Sequence, residues 1–213
     1  MSFFFETRPF SAESKREAVS TLLKNTVPDR DFFLLVLGAI ALAVCAIFLD
    51  SVAVLIASMI VAPLAYPILG LGLAISVGDI RLMARTIWML VVSLFLAIAL
   101  SYGATVLFGE IRVDPLLLSF SSHLVLATVI AFVAGGIAAY GLIRPKVGGA
   151  MTGIGIAVSL LPPLAATGVY SALGQADVAM GAFVVFSLNV LGILISSILV
   201  FWLLGISKEY HSR

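Results

Sequence analysis

Six apolar stretches, each long enough to cross a bilayer, constrain this chain more than any other feature. One helical crossing needs about 20 apolar residues, and a helix satisfies its own backbone hydrogen bonds in lipid. Hydrophobic residues make up 62% of the 213 residues and charged residues only 11%, too few to coat a soluble domain. The sequence therefore predicts an all-α integral membrane protein. Its six transmembrane helices are expected at about 32–49, 52–76, 86–108, 124–143, 147–173 and 179–204.

Charge and cysteine content exclude several classes of function. The net charge of +1 gives no basic surface for a polyanion, so no nucleic-acid partner is expected. A single cysteine, Cys45, excludes a disulfide framework, and we expect it to be a buried thiol. His123 and His211 are far apart in the chain, which argues against a histidine metal centre. We therefore expect no metal and no cofactor.

The distribution of positive residues predicts the orientation of the spans. Six crossings put every Lys and Arg except Arg112 on the same side as both termini. Cytoplasmic loops are the ones enriched in Lys and Arg, so both termini are expected in the cytoplasm. Trp88 and Trp202 then lie at the cytoplasmic interface, where tryptophan is enriched.

A short amphipathic helix is predicted before the first span, within residues 11–27. Ser14 and Glu17 have the spacing of a capping box, and Pro28 ends the segment. We interpret this helix as lying on the membrane surface, with a contact between soluble faces of an oligomer as the alternative. Its apolar face carries Ala18, Val19, Leu22 and Leu23.

The second and fifth spans share an unusual proline content that indicates an internal repeat. Four of the eight prolines lie within spans: Pro63 and Pro67 in the second, Pro162 and Pro163 in the fifth. A shift of 100 residues superposes the Pro-Leu-Ala triplet at 63–65 on the one that begins at Pro163. Each of these spans is the middle one of a set of three.

A three-span unit crosses the membrane an odd number of times, so its duplicate must insert upside down. The expected architecture is a 3+3 inverted repeat, which recurs among secondary transporters. The predicted divisions are a cytoplasmic segment with the amphipathic helix (1–31), the first repeat (32–108), an extracytoplasmic loop (109–123), the second repeat (124–204) and a cytoplasmic tail (205–213).

Prolines inside a helix remove backbone donors and clash with the preceding turn, so the two middle helices are expected to be broken. Polar groups freed at membrane depth must be buried in protein or line a wet cavity. The alternatives are that these prolines only kink their helices and that Asn189 joins helices by hydrogen bonds. The candidate binding or pathway residues are Ser58, Pro63, Tyr66, Pro67, Ser159, Pro162, Pro163, Thr167 and Asn189.

Two proline-containing motifs resemble those of a prokaryotic family, the "uncharacterised hydrophobic domain" membrane proteins (domain of unknown function 389). The first motif is VLIASMIVAPL at 54–64, with PILG at 67–70 and GD at 78–79. The second is GIGIAVSLLPPLA at 153–165. The resemblance covers about 30–205 and implies a multi-pass protein of the prokaryotic inner (plasma) membrane.

The functional hypothesis is a channel or transporter for a small solute or ion. No Asp, Glu, Lys, Arg or His lies at the centre of a span, which argues against a carboxylate proton relay. One 22.4 kDa protomer has few helices with which to enclose a pathway, so a homo-oligomer is expected. The alternatives are a non-transporting scaffold or sensor and, less favoured, an intramembrane enzyme. No catalytic residue is expected.

Overall fold

The computed structural model describes residues 11–109, 124–144 and 151–211, with the backbone alone at 151–159, 208–209 and 211. Every regular element in these ranges is a helix. This confirms the all-α class. In chain order the helices are α1 (Ala12–Asn25), α2 (Arg30–Phe48), α3 (Val52–Val61), α4 (Ala65–Val77), α5 (Ile80–Phe108), α6 (Leu124–Ile143), α7 (Met151–Ala172), α8 (Ala176–Leu203) and α9 (Ile206–His211).

The long helices coincide with the predicted spans. Helices α2, α5, α6 and α8 are each long and apolar enough to cross a bilayer, and α3 and α4 together form a fifth candidate. Helix α7 has 22 residues and occupies the position of the fifth predicted span. The protein is therefore a membrane protein by the length and composition of its helices, while the count of six crossings stays a prediction.

Local sequence explains where these helices start and stop. Asp29 begins α2 by accepting a hydrogen bond from the Phe32 N–H at 2.8 Å, and Asp79 does the same for α5 from the Leu82 N–H at 2.9 Å. Such caps satisfy amides that have no partner within the helix. Helix α4 ends at Gly78, whose φ of 76° lies in the left-handed region that glycine adopts without strain.

The second span is broken, as the sequence predicts. Helices α3 and α4 meet at a bend of 47°. Ala62 ends α3 in an extended conformation (φ −66°, ψ 119°), which is the conformation that a following proline imposes, here Pro63. Pro67 lies in the first turn of α4, where its missing N–H costs no helical hydrogen bond. The two prolines therefore end one helix and begin the next.

The fifth span is not broken, which corrects the expectation of two broken middle helices. Helix α7 runs through Pro162 and Pro163 without interruption. Leu160, Leu161 and Leu164 on either side are fully buried in the bundle. Tertiary packing of this kind holds a helix together where two prolines alone would destabilise it, and neighbouring helices can compensate for the lost donors.

The bundle is built on close contacts between helices. Helix α5 packs on α2, α4 and α7, while α8 packs on α4, α6 and α7. A side chain added at Gly135 of α6 would meet the Ile193 backbone of α8 at 2.6 Å, so no larger residue fits there. Large apolar side chains such as Phe95, Leu107 and Val125 point outward, as expected for a surface in contact with lipid.

Cys45 is exposed, contrary to the expected buried thiol. Leu42, one turn before it on α2, and Leu49, which follows the helix one turn after it, are also exposed. The aliphatic surroundings that suggested burial are those of a lipid-facing surface.

Helix α1 packs against the protein itself. Ser11 caps it by accepting from the Ser14 N–H at 3.1 Å, so the cap lies three residues before the predicted one. Its apolar residues Ala18, Val19 and Leu22 are buried, and the helix contacts α4, α6 and α9. The predicted apolar face is therefore covered by other helices of the chain, and its placement on a membrane surface stays a prediction.

Candidate functional site

The break between α3 and α4 lies inside the bundle. Ala62 is 7% exposed and Leu64 is 4% exposed, and both helices contact α7. Leu64, the residue before α4, gives the helix no hydrogen bond from a capping side chain. A helix end carries partial charge on its unsatisfied backbone groups, negative at the end of α3 and positive at the start of α4. The break thus brings two opposite helix ends into a buried region.

The predicted site residues of the second span surround this break. Ser58 is fully buried and donates its hydroxyl proton to the Leu55 carbonyl at 2.6 Å. The Ser58 carbonyl accepts the last hydrogen bond of α3, from the Ala62 N–H at 3.2 Å. Pro67 is buried and Tyr66 is half-buried in the first turn of α4. Ser58 therefore acts on the backbone one turn before the break.

The predicted residues of the fifth span lie on the continuous helix α7. Pro162 and Pro163 are buried, and Thr167 is 7% exposed. The Thr167 hydroxyl donates to the Pro163 carbonyl at 2.8 Å. The side chain of Ser159 lies outside the described residues. Because α3 and α4 both contact α7, the helices that carry these residues lie next to each other, while the site itself stays a prediction.

Asn189 is buried on α8, at 2% exposure. This helix packs against α4, α6 and α7, so it joins the two proline-containing spans. The buried face continues at Gly192, where an added side chain would meet the Thr128 carbonyl of α6 at 3.2 Å. Asn189 is thus placed among tightly packed helices, which agrees with either of the roles considered for it.

The prediction missed a row of buried hydroxyl groups on α5. Ser93 donates to the Met89 carbonyl at 2.7 Å and Thr105 donates to the Ser101 carbonyl at 2.8 Å. The hydroxyl of Ser101 itself is buried with no hydrogen-bond partner in the described part of the chain. Ser93, Ala97, Ser101 and Thr105 follow one another at about one helical turn, so they share one face of α5. This polar face could have been recognised from the sequence alone.

An open cavity of about 340 Å³ lies between the end of α7 and the first half of α8. Its two polar side chains are Thr167 and Ser171, of which only the first was predicted. Ser171 was missed because its place beside the cavity depends on the turn between the two helices. We call this space the α7–α8 cavity. It is lined by Thr167, Ser171, Gly174, Ala176, Ala179, Met180 and Phe183.

A larger cavity, about 440 Å³, has no chemistry that suggests a site. It is an almost wholly apolar groove between α6 and α8, lined by residues such as Val125, Val129 and Phe132. These three side chains are exposed on the outside of the bundle, where lipid is the natural contact. The smaller cavity is therefore the better candidate.

Polar contacts at the opposite end of the bundle join α1, α5 and α9. The Arg85 guanidinium donates to the buried Thr26 hydroxyl at 3.2 Å. Tyr210 of α9 donates its hydroxyl proton to the Asp79 carboxylate. This bond, and then the one from the Leu82 N–H, hold the pKa of Asp79 below its ordinary value. Among the described residues, no three His, Cys, Asp or Glu side chains come together as a metal site.

Comparison with known proteins relates the chain to proteins of unknown function. Residues 59–195 match a family profile described as "Domain of unknown function (DUF389)", a range that runs from α3 into α8. An uncharacterized protein of Methanocaldococcus jannaschii is 31% identical over 209 residues. The alignment covers 93% of this chain and 65% of that protein, so the chain spans about two thirds of its relative. No solved structure matches.

Proposed function

The chain belongs to the DUF389 family, whose function is unknown, and from that premise we propose that it is a membrane channel or transporter for a small solute or ion. The pathway runs along the break between α3 and α4 and the facing part of α7. No catalytic activity is part of this proposal.

The observation that carries the proposal is the buried helix break at Ala62–Leu64. Backbone groups without partners cost several kcal/mol each in hydrocarbon, so an interrupted helix is tolerated only in protein or beside a wet cavity. Transporters use such interrupted helices to bind substrates and ions near the middle of the membrane. A purely structural span would be expected to keep the continuous helix that α7 keeps despite its own prolines.

The positions of helix ends support the inverted repeat. Helix α5 begins at Ile80 and α8 begins at Ala176, 96 residues later. Gly78 and Gly174 precede these helices at the same separation and have similar positive φ angles, 76° and 71°. These landmarks favour a shift of 96 residues, which aligns Pro67 with Pro163, over the shift of 100 suggested by the triplets.

The packing between the two halves has the same symmetry. Gly72 of α4 approaches Ser197 of α8, while Gly168 of α7 approaches Ser101 of α5. A shift of 96 residues converts the first contact into the second, because Gly72 becomes Gly168 and Ser101 becomes Ser197. Each middle helix thus packs on the last helix of the other half. This crossed arrangement supports two halves related by a pseudo-two-fold axis in the membrane plane.

The proposed protein has six crossings in a prokaryotic inner membrane, with both termini in the cytoplasm. At 1.5 Å per residue, the 22 residues of α7 extend about 33 Å, enough for one crossing. We further propose that it forms a homo-oligomer, since its exposed apolar faces offer surface for other copies as well as for lipid.

Flux through proteoliposomes tests the proposal. The panel consists of potassium chloride, sodium chloride, methylammonium chloride and glycerol. Pro63→Ala restores a backbone donor and relieves the constraint on Ala62, so we expect it to change flux by about tenfold while the elution volume stays the same. Pro28→Ala is the matched control, because Pro28 is exposed and precedes α2.

Two results would contradict the proposal. Unchanged flux in a well-folded Pro63→Ala variant would separate the break from the pathway. If no solute of the panel crosses faster than in protein-free liposomes, the non-transporting scaffold or sensor becomes the better interpretation.

A further inference from the structure

The hydroxyl groups of the α7–α8 cavity have their protons already engaged. A hydroxyl has one proton and two lone pairs. Thr167 donates its proton to the Pro163 carbonyl at 2.8 Å, and Ser171 donates its proton to the Thr167 carbonyl at 2.7 Å. The two oxygens can therefore only accept hydrogen bonds from anything in the cavity. Since Thr167 is 7% exposed and bonded, its orientation is fixed by the helix.

The rest of the lining also favours a positive ligand. None of the seven lining residues is a Lys, Arg or His, so an anion would find no charged donor among them. Phe183 is one of the lining residues, and an aromatic face attracts cations.

The helix ends at the cavity do not reverse this preference. The carboxyl end of α7 is partially negative and the amino end of α8 is partially positive. The two ends are joined by the short turn at Gly174 and Gln175, so their contributions oppose each other. The side chains therefore decide which charge the cavity prefers.

We infer that the α7–α8 cavity binds a small ammonium-type cation, with Thr167 and Ser171 accepting its N–H groups and Phe183 facing its charge. An ammonium group supplies the donors that both hydroxyl oxygens lack and the charge that the ring attracts. The cavity has ample volume for a ligand the size of methylammonium. This inference rests on the proposed function and deepens it, because it names the class of solute and places its binding at Thr167, whose hydroxyl is bonded to the Pro163 carbonyl.

A single tryptophan in the cavity reports binding directly. Trp88 and Trp202 are exposed and are replaced by Phe, and Phe183→Trp then places the remaining tryptophan in the lining. The probe is methylammonium chloride, titrated into detergent-solubilised protein with sodium chloride at equal ionic strength as the reference. We expect a saturable change in fluorescence that sodium does not produce.

Substitutions in the same background identify the acceptor. Thr167→Val removes the oxygen and is expected to weaken methylammonium binding at least tenfold. Thr167→Ser keeps the oxygen and should bind within threefold of the parent. Thr128→Val is the matched control. Thr128 of α6 makes the same type of bond, to the Leu124 carbonyl at 2.9 Å, and lies outside the α7–α8 cavity.

The outcomes separate this inference from the proposed function. Absence of a saturable signal, or equal losses in Thr167→Val and Thr128→Val, would overturn the cation site even if the proteoliposomes transport other solutes. Saturable binding that needs the Thr167 oxygen would support the site even if none of the panel crosses the membrane. Elution profiles of each variant exclude misfolding as the cause of lost binding.

Discussion

Replacing Gly168 by Ala should destabilise the bundle at the contact between α7 and α5. A Cβ atom at this position would lie 2.6 Å from the Ile98 carbonyl oxygen and 2.7 Å from the Ser101 Cβ. Neither atom is at the end of a flexible side chain, so relief requires the two helices to separate. Overpacking of this kind costs about 1–3 kcal/mol. For a chain of this size the apparent Tm should fall by about 2–12 °C.

The assay is thermal unfolding of the detergent-solubilised protein at one fixed scan rate. Gly181→Ala in α8 is the matched control, because nothing lies within 4 Å of a Cβ added there. Alanine is the better helix former, so this control should be as stable as the parent or slightly more stable.

A second glycine provides a contrast in mechanism. At Gly72 the nearest atom is the Ser197 hydroxyl oxygen, a side-chain atom, and the Ser197 Cβ is 3.2 Å away. Adding Ser197→Ala should therefore restore most of the stability that Gly72→Ala loses. At Gly168 the carbonyl of Ile98 remains in place whatever residue is at 101, so Ser101→Ala should recover little. Equal stability of Gly168→Ala and Gly181→Ala would refute the close approach.

Two further predictions concern the end of the bundle that carries α1 and α9. In a Cys45→Ser background, cysteines introduced at Arg81 or Arg144 should resist a membrane-impermeant reagent in intact cells and react after lysis, and labelling from outside would contradict the proposed orientation. Tyr210→Phe should raise the pKa of Asp79 towards its ordinary value of 3.8. Because folding lowers the pKa of Asp79, its carboxylate stabilises the fold above pH 3.8, and this stabilisation is lost as the pH falls through the pKa of the folded state. The Tm of Tyr210→Phe should therefore depend less on acid pH than that of the parent. If Tyr210→Phe leaves the dependence of Tm on pH unchanged, the bond from Tyr210 is not what lowers the pKa of Asp79.

The lengths of the apolar runs and the chemistry of proline predicted the helices and the break in the second span. The limits of α2 and α6 follow from uninterrupted apolar runs, whose only stable form in lipid is a helix. The break after Ala62 follows from the restriction that proline imposes on the residue before it. These features depend on the chain within a few residues, and local sequence is sufficient to predict them.

Other features depend on contacts between distant segments. Pro162 and Pro163 disfavour a continuous helix as strongly as Pro63 does. Helix α7 nevertheless continues through them, because the residues around this turn are buried by neighbouring helices. The α7–α8 cavity requires the turn at Gly174, which places Ser171 in its lining. The bond from the Ser171 hydroxyl to the Thr167 carbonyl, which makes the Ser171 oxygen an acceptor, is seen only in the structure. The burial of α1 by α4, α6 and α9 could not be read from its amphipathic pattern, since lipid and protein select the same apolar face.

The packing of α1 has a consequence for biosynthesis. Its partners α4, α6 and α9 are made after it, and α9 begins at Ile206, more than 180 residues beyond the end of α1. At about 5–20 residues per second, the ribosome needs about 10–40 s to reach that partner. During this time α1 can contact α4 and α6 but not yet α9. Complete docking of α1 therefore has to follow the synthesis of α9.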